Sequence, residues 1–174
     1  NYSWFFYGGI YIYPTAAFLK ITQLLGAFKI SDAEYYLQNA NDLRNLFVFG
    51  KLFVFLNLII ALYFIYKFGE LYKDKATGIL LTAFFATAPF VLELSKIMKP
   101  YCTGLLFLAI SLYYRLKWYK TDFKKNYYIS TISAGLSVGA NYLFFIIPYS
   151  LIVYDFFQFK IFENRNFKFL QILL

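Results

Sequence analysis

The 174-residue sequence lacks histidine altogether and contains a single cysteine, Cys102. One cysteine excludes an internal disulfide and a cysteine metal cluster, and the missing histidine excludes a histidine-based triad, an HExxH zinc site and an imidazole proton shuttle. Acid–base chemistry would therefore fall to carboxylates, lysine or tyrosine. Acidic residues are also scarce, with 9 Asp and Glu against 17 Lys and Arg and a formal net charge of +8. The basic residues lie between apolar runs and form no basic face or recognised motif, so we expect no nucleic-acid partner.

Apolar side chains make up 61% of the chain and aromatic rings 25%. They are grouped in four apolar stretches, at 46–66, 76–95, 101–114 and 127–157. A soluble domain of this length has no interior large enough to bury so much apolar surface, so the bilayer must cover the remainder. The sequence therefore predicts an all-α, polytopic transmembrane helical bundle in contact with membrane lipids. Such a chain is a multi-pass integral protein of the plasma or inner membrane, or of the endoplasmic reticulum in a eukaryote.

The last apolar stretch, 127–157, is too long for one crossing, because about 20 helical residues suffice at roughly 1.5 Å per residue. The segment 139-GAN-141 predicts a break between two shorter helices. With that break, the loops at 67–75, 115–125 and 160–168 share one side and hold 11 of the 17 Lys and Arg residues. A single continuous helix would place the last of these loops on the opposite side, against the positive-inside tendency. The predicted membrane helices are 43–67, 76–95, 100–115, 127–139 and 142–157.

Residues 1–42 predict an external loop that contains an amphipathic helix. Pro14 suits a first helical position, and from there to about Ile30 the apolar residues recur at steps of three and four. They are Ala17, Phe18, Ile21, Leu24, Leu25 and Phe28. A helix of this kind lies along the membrane interface. The chain starts at Asn1 without an initiator methionine and ends in the apolar 167-FKFLQILL-174, so we expect one domain truncated at both ends.

Lys51 is the most unusual charged residue, because it stands inside an apolar run seven residues after Arg44. An unpaired ammonium in lipid costs a few kcal/mol, about 3 on insertion scales, which favours a position in the bundle interior or a wet cavity. A long side chain near a helix end also reaches the interface by snorkelling. Both placements stay open.

The turn at 95-SKIMKP-100 adds Lys96 and Lys99, which we interpret as solvated loop lysines. Glu93 precedes Lys96 by three residues, a spacing at which the two side chains pair on a helix. The spacing of Gly135 and Gly139 is that of small residues at a helix–helix contact.

Four segments resemble a known family of membrane enzymes. They are 6-FYGGIYIYPTAAFLKI-21, 49-FGKLFVFLNLIIALYFIYKFGELYKDKATGILL-81, 94-LSKIMKPYCTGLLFLAISLYY-114 and 134-AGLSVGANYLFFIIPYSLI-152. In order and spacing they are similar to the N-terminal half of polyprenyl-phosphate-sugar-dependent glycosyltransferases of the GT-C type. The nearest group is the dolichyl-phosphate-mannose–protein mannosyltransferase-like family, glycosyltransferase family 39 and its bacterial relatives.

The resemblance implies transfer of a sugar, such as mannose, from a lipid phosphate to an acceptor glycan, lipid or protein on the non-cytoplasmic face. It implies substrate-binding roles for Lys51, Lys99, Tyr101 and Asn141. It implies no tightly bound cofactor, and it leaves open whether a divalent metal is required. Lys51 stands where the family usually has Arg, Tyr101 where it has Asp, and Asn141 where it has Lys. The family's catalytic carboxylate would lie before Asn1.

Two other functions remain open. A transporter or channel uses broken helices with glycine and asparagine at mid-membrane. A non-catalytic relative of the transferase would bind lipid without turnover, as the replaced Asp and Lys allow.

Overall fold

The structure is a computed structural model that describes residues 9–161, with side chains described from 9 to 155. All regular structure in this part of the chain is helical, which confirms the all-α prediction. Connections of one or two residues join most of the helices, longer ones follow α1 and α5, and a short 3₁₀ turn stands between the last two helices. The elements are α1 Gly9–Leu24, α2 Ala33–Gln38, α3 Ala40–Tyr72, α4 Lys75–Thr87, α5 Pro89–Ser95, α6 Tyr101–Thr121, α7 Lys124–Ala140, the 3₁₀ turn Tyr142–Phe145 and α8 Ile146–Ile161.

The long helix α3 is the spine of the fold. Its 33 residues span about 50 Å at 1.5 Å per residue. Within residues 9–161 it is the one helix that is long and apolar enough by itself to cross a membrane, and the count rises to two if α4 and α5 form one bent span. These two helices meet at 63°. The bend follows from Pro89, because the residue before a proline is driven out of the helical region and Ala88 is extended.

Hydrogen bonds fix the relative directions of α3 and α6. Near the start of α6, Thr103 accepts a bond from Asn57 Nδ2 at 2.8 Å. Near its end, Lys120 Nζ donates to the backbone carbonyl of Leu71, in the last turn of α3. The two helices are therefore parallel. We call the end with the turns at 73–74 and 122–123 the basic end, and the end with the 96–100 turn and the 3₁₀ turn the capped end.

The predicted break in the last apolar stretch is present. Helix α7 ends at Ala140, Asn141 is extended, and the 3₁₀ turn leads into α8. The Phe144 ring packs against Gly104 at the capped end. Tyr154 lies with its ring centroid 5.9 Å from that of Tyr119 at the basic end. Helix α8 therefore runs back beside α6, and α7 and α8 form a hairpin.

Many large apolar side chains are exposed, whereas small polar side chains are buried between α6 and α7. The α6–α7 interface buries Ser111, Ser130 and Ser137, each with no exposed surface. Ser130 Oγ donates to the Ser111 carbonyl and Ser137 Oγ to the Gly104 carbonyl, both at 2.9 Å. By contrast, residues such as Leu80, Phe84, Phe90 and Ile146 are 70–72% exposed.

Four expectations are corrected by the structure. Helix α1 already includes Gly9, so Pro14 lies inside it rather than at its start. The residues of α1 that are buried against the bundle are Tyr11, Thr15, Leu19 and Thr22, and Ile21, Leu24 and Leu25 are exposed, so the interfacial location of this helix stays a prediction. The polar segment after it contains α2, which starts at Asp32, whose carboxylate accepts a bond from the backbone N–H of Tyr35.

The other two corrections concern α6 and α7. Residues 115–121, expected in a loop, continue α6, which ends only at Asp122 in the left-handed conformation (φ 54°). Gly135 is exposed, and a Cβ there would meet no described atom within 4 Å. The close approach of two glycines is instead between α3 and α4, where a Cβ on Gly69 would lie 2.7 Å from the Cα of Gly78.

Candidate functional site

The capped end holds the four residues that the resemblance singles out. The residues that precede Lys51 and Lys99 are in contact there, because the Met98 side chain packs on the backbone of Gly50. Each lysine directly follows one of these two contacting residues. Both lysines are exposed, so Lys51 lies on the surface of the bundle rather than inside it. The junction of α3 with the 96–100 turn thus carries two exposed lysines that each follow a residue of the Gly50–Met98 contact.

Tyr101 begins α6 beside this junction. It follows Pro100, which is buried, and is itself half-buried. The next residue, Cys102, belongs to the apolar core with Val54 and Leu58 of α3. The core holds the first turn of α6 against α3 and thereby fixes the position of the Tyr101 backbone.

Asn141 is 4% exposed and holds the break between α7 and the 3₁₀ turn. Its Oδ1 accepts a hydrogen bond from the backbone N–H of Leu143 at 2.9 Å. Its backbone carbonyl accepts from the N–H of Phe144 at 3.1 Å. The side chain acts as a cap, the ordinary role of asparagine at such a position.

Helix α1 closes this end of the bundle. Ile10 packs against Gly139, and the Phe18 ring lies 5.3 Å, centroid to centroid, from that of Phe53 on α3. The four predicted residues therefore share one end, beneath or beside α1. No hydrogen bond joins any two of them within residues 9–155, so their convergence on one cavity stays a prediction.

The carboxylates described at this end are engaged locally. Glu93 pairs with Lys96 at 2.6 Å, as predicted from their spacing. Asp42 accepts bonds from the Tyr35 hydroxyl at 2.7 Å and from the Lys29 backbone N–H at 3.3 Å. The hydrogen bond to Asp42 raises the pKa of the Tyr35 hydroxyl above its usual value. The catalytic carboxylate that the resemblance implies, expected before Asn1, lies outside the described residues.

Sequence reasoning missed a buried charged cluster at the basic end. Arg115 of α6 and Asp155 of α8 form an ion pair, Nη1 to Oδ2, at 2.5 Å, and both side chains are 4% exposed. The Tyr119 hydroxyl donates to the other carboxylate oxygen at 2.6 Å. Arg115 Nε donates to Ser130 Oγ at 3.2 Å, and the guanidinium carbon lies 4.6 Å from the centre of the Tyr127 ring. Three helices meet in this cluster.

A signal for it exists in the sequence. Ser111, Arg115 and Trp118 recur at four- and three-residue steps, which places them on one face if α6 continues past Tyr114. The interval 127–157 contains one acidic residue, Asp155, and a carboxylate inside an apolar helix requires a partner. The sequence was expected to leave α6 before residue 115, and Arg115 was therefore counted as a loop residue.

Comparisons with known protein families, with curated proteins and with solved structures returned no match to this chain. Among the described residues, no three His, Cys, Asp or Glu side chains group together as metal ligands would.

Proposed function

We propose that the chain is a multi-pass membrane protein. The support is the distribution of side chains, with serine, glycine and alanine between α6 and α7 and large apolar residues outside. Helices in lipid associate through small residues and polar contacts, since lipid tails are as apolar as leucine. Lys73 and the lysines that flank the two turns at the basic end, Lys75, Lys120, Lys124 and Lys125, agree with a cytoplasmic location for that end.

Within this placement, we propose that the capped end transfers a sugar from a polyprenyl-phosphate donor to an acceptor on the non-cytoplasmic face. The observation that supports the proposal is the packing of Met98 on Gly50, which brings the backbone positions of Lys51 and Lys99 to the same junction of α3 with the 96–100 turn. Two cations at a bilayer surface form charge-assisted hydrogen bonds to a lipid phosphate.

The chemistry asks for stabilisation of the departing lipid phosphate, which gains negative charge as the glycosidic bond breaks. Lys51 and Lys99 supply that charge, and the Tyr101 hydroxyl is the neighbouring donor. Asn141 contributes by holding the break that ends α7, since its Oδ1 is already occupied by the Leu143 N–H. No described residue is assigned as the base that deprotonates the acceptor.

The transporter alternative is less well supported by the position of the break. In transporters a broken helix unwinds near the membrane midplane. Here Phe144, two residues beyond the start of the 3₁₀ turn, packs on Gly104 in the first turn of α6. The break is therefore at the end of a hairpin. A non-catalytic lipid-binding relative would use the same two lysines, so only turnover separates it from the enzyme.

The test uses the full-length protein in lipid nanodiscs with radiolabelled polyprenyl-phosphate mannose and related donors. Lys51→Gln combined with Lys99→Gln should lower kcat/KM at least ~10-fold, about 1.4 kcal/mol of transition-state stabilisation. The matched control is Lys125→Gln, which removes an exposed charge at the basic end and should leave transfer unchanged.

Two outcomes contradict the proposal in different ways. Donor binding by the wild type without transfer to any acceptor identifies the non-catalytic relative. Neither binding nor transfer with every donor tested removes the sugar-transfer function, and flux of a solute across sealed vesicles would then support the transporter.

A further inference from the structure

Helix α8 is attached to the bundle mainly at its two ends. Among its first ten residues, 146–155, only Pro148 and Asp155 are buried. The intervening surface is apolar and exposed, as Tyr149 at 56% and Ile152 at 55% show. At the capped end the attachment is the 3₁₀ turn, whose Phe144 packs on Gly104. At the basic end it is Asp155.

The binding site for Asp155 is built entirely from α6 and α7. Arg115 and Tyr119 supply the two donors to its carboxylate, at 2.5 and 2.6 Å. Arg115 is itself held by Ser130 Oγ at 3.2 Å and Thr131 Oγ1 at 3.4 Å. The guanidinium is thus oriented from the α7 side, so the receptor for Asp155 does not depend on α8.

The contact of Asp155 with Arg115 and Tyr119 decides whether α8 stays docked on α6 and α7. In a bilayer no hydrophobic force drives helix association, because lipid covers an apolar helix face as well as another helix does. The exposed apolar surface of α8 is therefore neutral between docked and undocked positions. Removing one partner of a buried ion pair leaves an uncompensated charge, which is strongly destabilising.

We infer that α8 is an arm that hinges at Asn141 and is held at its far end by the Arg115–Asp155 ion pair, which we call the latch. The latch lies at the basic end, and it positions the α7–α8 hairpin whose other end lies at the capped end. Closing the latch holds α8 along α6 and holds the 3₁₀ turn on Gly104. Breaking it frees α8 to pivot away from α6 and α7 about the extended residue Asn141. The inference depends on the proposed bilayer placement and not on sugar transfer.

The experiment measures the distance between α7 and α8 directly. Spin labels replace Ile132 and Ile152, which are 63% and 55% exposed, in the full-length protein with its native cysteines replaced and in lipid nanodiscs. Pulsed electron paramagnetic resonance should give one narrow distance distribution for the otherwise wild-type protein. Asp155→Asn should broaden the distribution and shift it to longer distances, and the charge swap Arg115→Asp with Asp155→Arg should narrow it again.

A matched control is Glu70→Gln, which makes the same chemical change in the partly exposed pair with Lys67 at 2.7 Å. It should leave the distribution narrow. A second label pair at Phe55 of α3 and Phe84 of α4, both exposed, reports on the rest of the bundle. The latch is overturned if Asp155→Asn leaves the α7–α8 distance unchanged, or if both label pairs broaden together. Loss of sugar transfer with an intact latch would count against the proposed activity alone.

Discussion

Asp74 starts α4 with a hydrogen bond, because its Oδ1 accepts from the backbone N–H of Thr77 at 2.7 Å. That bond, together with one from the Thr77 side chain, lowers the pKa of Asp74 below its usual value. A depressed folded-state pKa means that the stabilisation is present above the unfolded pKa of about 3.9 and is lost as the pH falls through the folded pKa.

The prediction uses Asp74→Asn, which keeps a capping oxygen but cannot titrate. Melting temperatures are measured for both proteins between about pH 6 and pH 3, around the unfolded pKa. The wild type should lose more stability than the variant as the pH falls. A difference between the two melting temperatures that stays constant with pH would contradict the role given to the ionised carboxylate.

At the level of single residues, sequence reasoning found charges but not their surroundings. The spacing of Glu93 and Lys96 predicted their ion pair, since both lie within one helix turn. Arg115 and Asp155 are 40 residues apart, and no local spacing relates them. Asn141 was expected to line a site, but its side-chain oxygen caps the 3₁₀ turn, a role that depends on where the chain turns back.

Glycines at two places in the helices permit a direct comparison of packing. Gly69 of α3 and Gly78 of α4 approach so closely that a Cβ on either would lie 2.7 Å from backbone atoms of the other helix. Gly69→Ala should therefore push α3 and α4 apart and destabilise the protein, by about 1–3 kcal/mol as for other overpacked interiors.

Gly135→Ala is the matched control for this prediction. Its new Cβ would meet no described atom within 4 Å, and alanine is favoured over glycine by about 1 kcal/mol in a helix interior. The variant should be as stable as the wild type or more stable. Chemical denaturation in detergent measures both, and equal destabilisation by the two variants would contradict the assigned contact.

At the level of elements, hydropathy predicted a helix in each apolar stretch but not its ends or its buried face. Helix α6 extends past Tyr114 because polar residues are no obstacle to a helix, and its end at Asp122 requires a left-handed backbone that hydropathy does not register. For α1 the apolar repeat did not indicate which residues are buried against the bundle. Thr15 and Thr22 are buried there because their hydroxyls bond backbone carbonyls of their own helix, at 2.7 and 2.8 Å.

At the scale of the whole molecule, the two ends should lie on opposite sides of the membrane. Engineered cysteines at Lys73, in the 73–74 turn, and at Lys125, in the first turn of α7, lie at the basic end, and one at Gln38 precedes α3. In sealed vesicles, a membrane-impermeant maleimide should label the first two from the same side and the third from the other. Labelling of Gln38→Cys from the same side as Lys73→Cys would contradict the crossing by α3.

The distribution of charge predicted the direction of α8 correctly, although hydropathy alone gives no preference between a hairpin and one long helix. Counting lysines worked because it is a property of the whole chain rather than of a local pattern. The same count treated Arg115 as one more loop cation, so the contact that fastens α8 was absent from the sequence-based interpretation.

The separation of Arg115 from Asp155 has a consequence for biosynthesis. The 40 residues between them take about 2 to 8 s to translate, at roughly 5–20 residues per second. In the proposed bilayer placement, α6 would enter the membrane during that interval with a guanidinium whose carboxylate partner has not yet been synthesised. The group would then need contact with water or lipid phosphate until α8 is inserted and Asp155 pairs with it.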